Sequence, residues 1–129
     1  MNPMNDGTTL TRILAYLSAM PGAVEEYPFG PDVPVFKVMG RMFAYLSPGR
    51  EPPWLTLKLD PILGQLARTA HAAVFPGYHM NKEHWNTVVL DGTVPEPEIL
   101  AWIEDSYELV VAGLSRAKRE RLRRLEAER

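Results

Sequence analysis

The chain contains no cysteine. That absence removes disulfides, thiolate metal sites and cysteine nucleophiles together, and it suits a reducing compartment. Nowhere do 18 apolar residues run together, so no segment reads as a membrane-spanning helix. The N-terminal MNPMNDGTTL has neither the basic nor the apolar region of a secretory signal. A cytoplasmic protein with no membrane partner is the expectation.

Enzyme fingerprints are missing as well. There is no glycine pattern of the dinucleotide or phosphate-loop type, no HExxH and no GxSxG. The serines are scattered, with no base beside them. His71, His79 and His84 are too widely spaced to share a helical face, and the five-residue step from His79 to His84 puts them on opposite sides of any strand. The expectation is therefore a protein without catalysis, cofactor or metal.

Excess charge of one sign is also lacking. The net charge is −2, whereas a strongly electrostatic nucleic-acid binder is normally basic. The distribution says more than the sum. Residues 1–114 carry 7 Lys and Arg against 13 Asp and Glu, a net of −6, while residues 115–129 carry 7 against 3, a net of +4. An acidic body precedes a basic tail.

What is present fits one small domain. At 129 residues, with 46% apolar and 23% charged residues, the chain has the length and composition to bury a core without staples. Thr8 or Thr9 predicts the cap of a helix running to Met20, with Leu10, Ile13, Leu14 and Leu17 at helical spacing and Pro21-Gly22 as its stop. From Ala23 to Leu59, short apolar stretches broken by prolines and glycines predict strands and turns. Val35 to Met39 and Met42 to Ser47 read as a hairpin around Gly40-Arg41, and Trp54 to Leu59 as the next strand.

Asp60-Pro61 supplies a cap and a first-turn proline for a second helix to Ala70 or His71, with Ile62, Leu63, Leu66 and Ala67 on one side. A loop with Pro76-Gly77 follows, then a strand in WNTVVLDG that turns at Asp91-Gly92. From about Pro97 a long helix carries the stripe Ile99, Trp102, Ile103, Tyr107, Val110 and Leu114. It either stops at Gly113 or continues through the tail, with Leu122 and Leu125 on the same side. The expected fold class is α+β, an antiparallel sheet with helices packed on one face. Residues 1–7 read as a flexible N-terminus, 8–114 as the domain and 115–129 as a basic helical extension.

Two surfaces are candidates for binding. The segment from Tyr78 to Thr87 concentrates His79, Lys82, His84 and Trp85 with two asparagines. It reads either as a nucleic-acid contact, with Lys82 on a phosphate and Tyr78 or Trp85 stacking on a base, or as a solvated loop entering a strand. The second surface is the outer face of the sheet, whose content depends on hairpin register. A two-residue turn at Gly40-Arg41 pairs Val38 with Phe43 and Phe36 with Tyr45 on the core face, leaving Lys37 outside near Trp54, Thr56 and Lys58. A three-residue turn sends Phe43 and Tyr45 outward instead, making an aromatic and basic platform. The two-residue turn is the preferred expectation because it gathers the bulky side chains inside. The tail cations Arg116, Lys118, Arg119, Arg121, Arg123 and Arg124 read either as a phosphate-tracking face or as a solvated helix diluted by Glu120, Glu126 and Glu128.

Several segments, in order, are familiar: PGAVEEYPFGPD at 21–32, VFKVMGRMFAYLS at 35–47, LKLDP at 57–61, PGYHMNKEHWNTVVLDG at 76–92 and DSYELV at 105–110. Together they resemble the MmcQ/YjbR family over about residues 10–114. The resemblance implies a frataxin-like (CyaY-like) fold and DNA binding through paired wing-like elements. The matching positions are the hairpin around Gly40-Arg41 and the segment Tyr78 to Trp85. Lys37, Arg41, Lys58, Lys82 and His84 would then be contacts. Frataxin-like iron binding is poorly supplied, since the helix from Thr8 to Met20 holds no Asp or Glu. The expected function is non-catalytic DNA binding by a monomer or weak dimer; the alternative is a protein- or small-ligand-binding module.

Overall fold

The computed structural model describes residues 7–47, 51–77, 81 and 83–128. Of residues 1–7, expected to be flexible, 1–6 lie outside the described residues, as do Tyr78, His79 and Lys82; Gly7 is already helical, so Thr8 and Thr9, expected as the cap of the first helix, lie inside it. The chain runs α1 (Gly7–Ala19), β1 (Ala23–Glu26), β2 (Val35–Val38), β3 (Arg41–Ser47), β4 (Trp54–Lys58), α2 (Pro61–Ala70), β5 (Val74–Pro76), β6 (Trp85–Val89), α3 (Glu96–Ala112) and α4 (Arg116–Ala127). The strands form one antiparallel sheet in the order β1-β2-β3-β4-β6-β5. Among the described residues, no helix is long and apolar enough to cross a membrane.

Local chemistry accounts for most of these elements. In α1, Ile13 and Leu17 recur one turn apart and are fully buried, each worth roughly 1.5–3 kcal/mol relative to exposure. The chain leaves α1 through Gly22, whose φ of +74° falls in the left-handed region that glycine tolerates. Asp60 caps α2 as expected: its carboxylate accepts the Ile62 amide at 3.0 Å, and Pro61 occupies the first helical position. The predicted stripe of α3 is buried throughout, from Ile99 to Val110, with Leu114 beyond its end. Its acidic first turn holds Glu96 and Glu98, and Arg12 of α1 pairs with Glu96 at 3.1 Å.

The β2–β3 hairpin departs from its expected geometry. Its two turn residues are Met39 and Gly40, not Gly40 and Arg41, since Val38 lies opposite Arg41. Both turn residues have positive φ, 50° and 85°, the primed-turn geometry that matches strand twist. Further along, Phe36 faces Ala44 while Lys37 faces Met42, so β3 bulges by one residue at Phe43. The expected pairs Val38–Phe43 and Phe36–Tyr45 do not form. The bulge buries Phe43 and Ala44 together, with Phe43 set 6.5 Å from Phe36 and edge-on to Tyr107 at 5.5 Å between ring centres. Tyr45 sits opposite Val35, on the face away from the helices.

Two other expectations are corrected. Residues 74–76, read as part of a loop, make the short edge strand β5. Of the apolar side assigned to α2, Ala67 is buried and Leu63 half-buried against the core, but Ile62 and Leu66 are 71% and 61% exposed and Gly64 packs inward instead. Gly64 is small because Asn86 lies beneath it, 2.9 Å from where a Cβ would stand. Arg68 donates to the Asn86 amide oxygen and fixes that buried side chain.

The long C-terminal helix breaks as one of the two readings has it. α3 ends at Ala112, and the Ser115 hydroxyl accepts the Lys118 amide at 3.2 Å to start α4. Leu122 of α4 is buried in the core cluster, while Leu125 is 43% exposed. A Cβ at Gly22 would meet the Leu122 side chain at 2.6 Å. Within the domain, Ser106 clamps α3 to the sheet: its hydroxyl donates to the Phe43 carbonyl at 2.6 Å and accepts the Lys58 amide at 2.8 Å.

Candidate nucleic-acid interface

Cross-strand partners point to the same face of a sheet, so the register sorts its residues. Phe36, Ala44, Leu57 and Asn86 form one transverse row, and Leu46, Leu55, Val88 and Val74 form the next. These are the residues that meet the helices. The opposite face carries the row Val35, Tyr45, Thr56, Thr87 and Phe75, which crosses five strands. On one side of that row stand Ser47, Trp54 and Val89; on the other, Lys58 is paired with Trp85. Lys37 and Met42 continue this face at the hairpin.

At the centre, the hydroxyls of Thr56 and Thr87 lie 3.0 Å apart and are buried. Four aromatic side chains surround them, those of Tyr45, Trp54, Phe75 and Trp85, all half-buried. Trp54 and Phe75 meet edge to face at 5.0 Å, the geometry favoured by ring quadrupoles. This is a shallow, partly exposed aromatic surface with a polar seam.

Its electrostatics differ from those of the body. Strands β2 to β6 contain no Asp or Glu and three cations, Lys37, Arg41 and Lys58. The acids of the sheet are Glu25 and Glu26, both on the edge strand β1. Glu26 pairs with Lys37 at 3.0 Å. Lys58 and Arg41 have no ion pair among the described residues.

The predicted contacts therefore separate. Lys58 and Trp85 are brought together as cross-strand neighbours. Lys37 shares their face but is engaged by Glu26. Arg41 is exposed at the hairpin end, the first residue of β3, but it lies opposite the buried Val38 and so does not share their face. His84 is half-buried and its carbonyl accepts the Leu59 amide at 2.6 Å, closing the end of β4. Tyr78, His79 and Lys82 lie outside the described residues. Sequence reasoning placed Trp54 on this outer face, turned Tyr45 outward only with a three-residue turn, and did not assign Phe75 to the site. Tyr45 turns outward because of the bulge at Phe43, which leaves no local signature, and Phe75 belongs to a strand of only three residues.

Comparison with known proteins agrees with the resemblance. The family model YjbR matches residues 18–109, and the chain belongs to this family. It is 35% identical over 114 residues to the uncharacterized protein YjbR of Escherichia coli K12, covering 88% of this chain and 97% of that one. It is 39% identical over 97 residues to the uncharacterized protein YbdF of Escherichia coli O157:H7, covering 75% and 80%. The crystal structure of Deinococcus radiodurans protein DR2400, described as a DUF419 domain, superimposes with a TM-score of 0.82 at 36% identity, covering 95% of this chain and 91% of that one. A Pseudomonas syringae protein gives a TM-score of 0.66 at 30% identity, covering 77% and 96%.

Proposed function

We propose that this YjbR-family protein is a non-catalytic nucleic-acid-binding protein that lays a single strand across the outer face of its sheet. The observation that carries this reading is the acid-free face of β2 to β6, where Tyr45, Trp54, Phe75 and Trp85 surround a buried threonine pair beside Lys58. Bases stack on such rings with little sequence preference, while cations at the margin follow the phosphates. A duplex has its bases already stacked and offers these rings nothing to take up. The threonine hydroxyls are engaged with each other, which supports binding without chemistry.

Fluorescence anisotropy with a labelled oligothymidine and a duplex of equal length, at low and raised salt, tests this. Binding should favour the single strand, quench tryptophan emission and weaken as salt rises. Trp54→Ala and Trp85→Ala should each weaken it roughly 5- to 150-fold, the range for loss of one stacked base. Lys58→Glu should flatten the salt dependence. Affinity for neither oligonucleotide at low salt would overturn the proposal.

A further inference from the structure

On the helix side, opposite the aromatic face, an apolar surface is left uncovered among the described residues. Ile62 and Leu66 stand one turn apart on α2 and are 71% and 61% exposed. Leu63, next to them around the helix, enters a groove between α2 and α3 that is completed by Leu109 and Ala112. The groove encloses about 290 Å³ and is rimmed by Asp60, Asp105 and Glu108. Side chains of this size exposed together at helical spacing mark an interaction site rather than scattered surface residues.

The rim is charged in one sense. Asp60 is occupied as the α2 cap, and Glu104 accepts the Tyr16 hydroxyl at 2.5 Å. Asp105 has no ion pair among the described residues. Burial raises its pKa above the usual carboxylate range, and the charge of Glu104 adds to the effect. A cation placed there would favour the ionised carboxylate and oppose both effects.

The chain itself carries the complementary element. On α4, Leu122 faces the core, Lys118 reaches the Met39 carbonyl at 3.4 Å, and Arg119 donates to the Ala112 and Leu114 carbonyls. Helical spacing places Arg121, Arg124 and Leu125 side by side on a strip that borders Leu122 and leads away from the core. All three are exposed, and neither arginine has an ion pair among the described residues. Within one molecule this strip cannot reach the groove, because α3 separates them: α4 lines a cleft with Tyr107, Glu108 and Val111, and the groove opens on Asp105, Leu109 and Ala112.

We infer that a second copy of this chain fills the groove, Leu125 of one α4 entering between Leu63 and Leu109 of the other copy, with Arg121 and Arg124 against its acidic rim. A two-fold axis over α3 makes the contact reciprocal, so both grooves and both strips are used. The arrangement stands apart from nucleic-acid binding and leaves the aromatic face free.

Sedimentation equilibrium of the full chain tests it. The wild type should be a dimer at micromolar concentrations and dissociate as salt rises. The Leu66→Asp variant and the Arg121→Glu/Arg124→Glu variant should weaken dimerisation at least tenfold. Asp105→Arg alone should do the same. Mixing the Asp105→Arg variant with the Arg121→Glu/Arg124→Glu variant should restore a heterodimer, because each groove then meets a strip of opposite charge; circular dichroism confirms that every variant is folded. A wild type that stays monomeric, a dimer indifferent to these changes, or a mixture that fails to associate would each overturn the inference.

Discussion

Thr56 and Thr87 share a hydrogen bond of 3.0 Å across β4 and β6, buried on the face of the sheet turned away from the described helices. The pair is polar where packing alone would favour valine. Removing one hydroxyl leaves the other buried and unpaired, which costs about 1–3 kcal/mol, whereas replacing both by groups of the same shape is close to neutral. Thr56→Val should therefore lower the stability read by urea denaturation, and the double variant Thr56→Val/Thr87→Val should recover most of the loss.

Ser106 makes a stronger demand. It is fully buried, and its hydroxyl serves the Phe43 carbonyl and the Lys58 amide at once. Ser106→Ala deprives two buried backbone groups of their partner and should cost roughly 2–4 kcal/mol by denaturation, more than an ordinary surface substitution. Since the hydroxyl secures the bulge, amide exchange in β3 should rise most.

Tyr107 makes stability depend on alkaline pH. Its hydroxyl donates to the Pro21 carbonyl at 2.6 Å, and burial, with Glu126 and Glu108 adding, pushes its pKa up from 10.0 to about 12. A raised folded-state value means that the native state favours the neutral phenol. The stabilisation is complete below pH 10, where the unfolded phenol is also neutral, and is lost as pH rises from 10.0 towards 12. Tyr107→Phe should lower stability at neutral pH by about 1 kcal/mol. It should also flatten the fall between pH 10 and 12, measured by urea denaturation across that range.

Leu122 joins α4 to the core against Gly22 and beside Tyr107. Leu122→Ala should destabilise by about 2–5 kcal/mol, as other buried leucine truncations do. Gly22→Ala should act in the same direction by a different route, because its φ of +74° and the 2.6 Å approach of Leu122 both oppose a Cβ. In each variant, proteolysis within α4 should precede cleavage elsewhere.

Helix stripes, and the start of α2, were readable because they are local, whereas α1 begins at Gly7, ahead of the threonines expected to cap it. Asp60-Pro61 announces α2, and the spacing from Ile99 to Val110 announces α3, whatever the rest of the chain does. The inward face of α2 was only partly readable. Ile62 and Leu66 are its bulkier apolar residues, but Asn86 of β6, held by Arg68, lies under Gly64, which packs inward with Ala67. Leu122 and Leu125 are alike in sequence, and only the tertiary contacts with Gly22 and the Tyr107 side of α3 distinguish the buried one. The outward aromatic face was half visible: Lys37, Trp54, Thr56 and Lys58 were placed outside, but Tyr45 was placed inside because one bulged residue reverses the parity of everything beyond it.

The two edges of the sheet have a consequence for life at high concentration. β1 presents Glu25 and Glu26, and β5 is only three residues long and ends in Pro76, which has no amide hydrogen to offer a neighbour. Like charges repel a second β1, and proline interrupts any strand that would extend β5. Continuous ribbons of stacked sheets are thereby closed off at both margins, so crowding should leave this protein dispersed rather than fibrous.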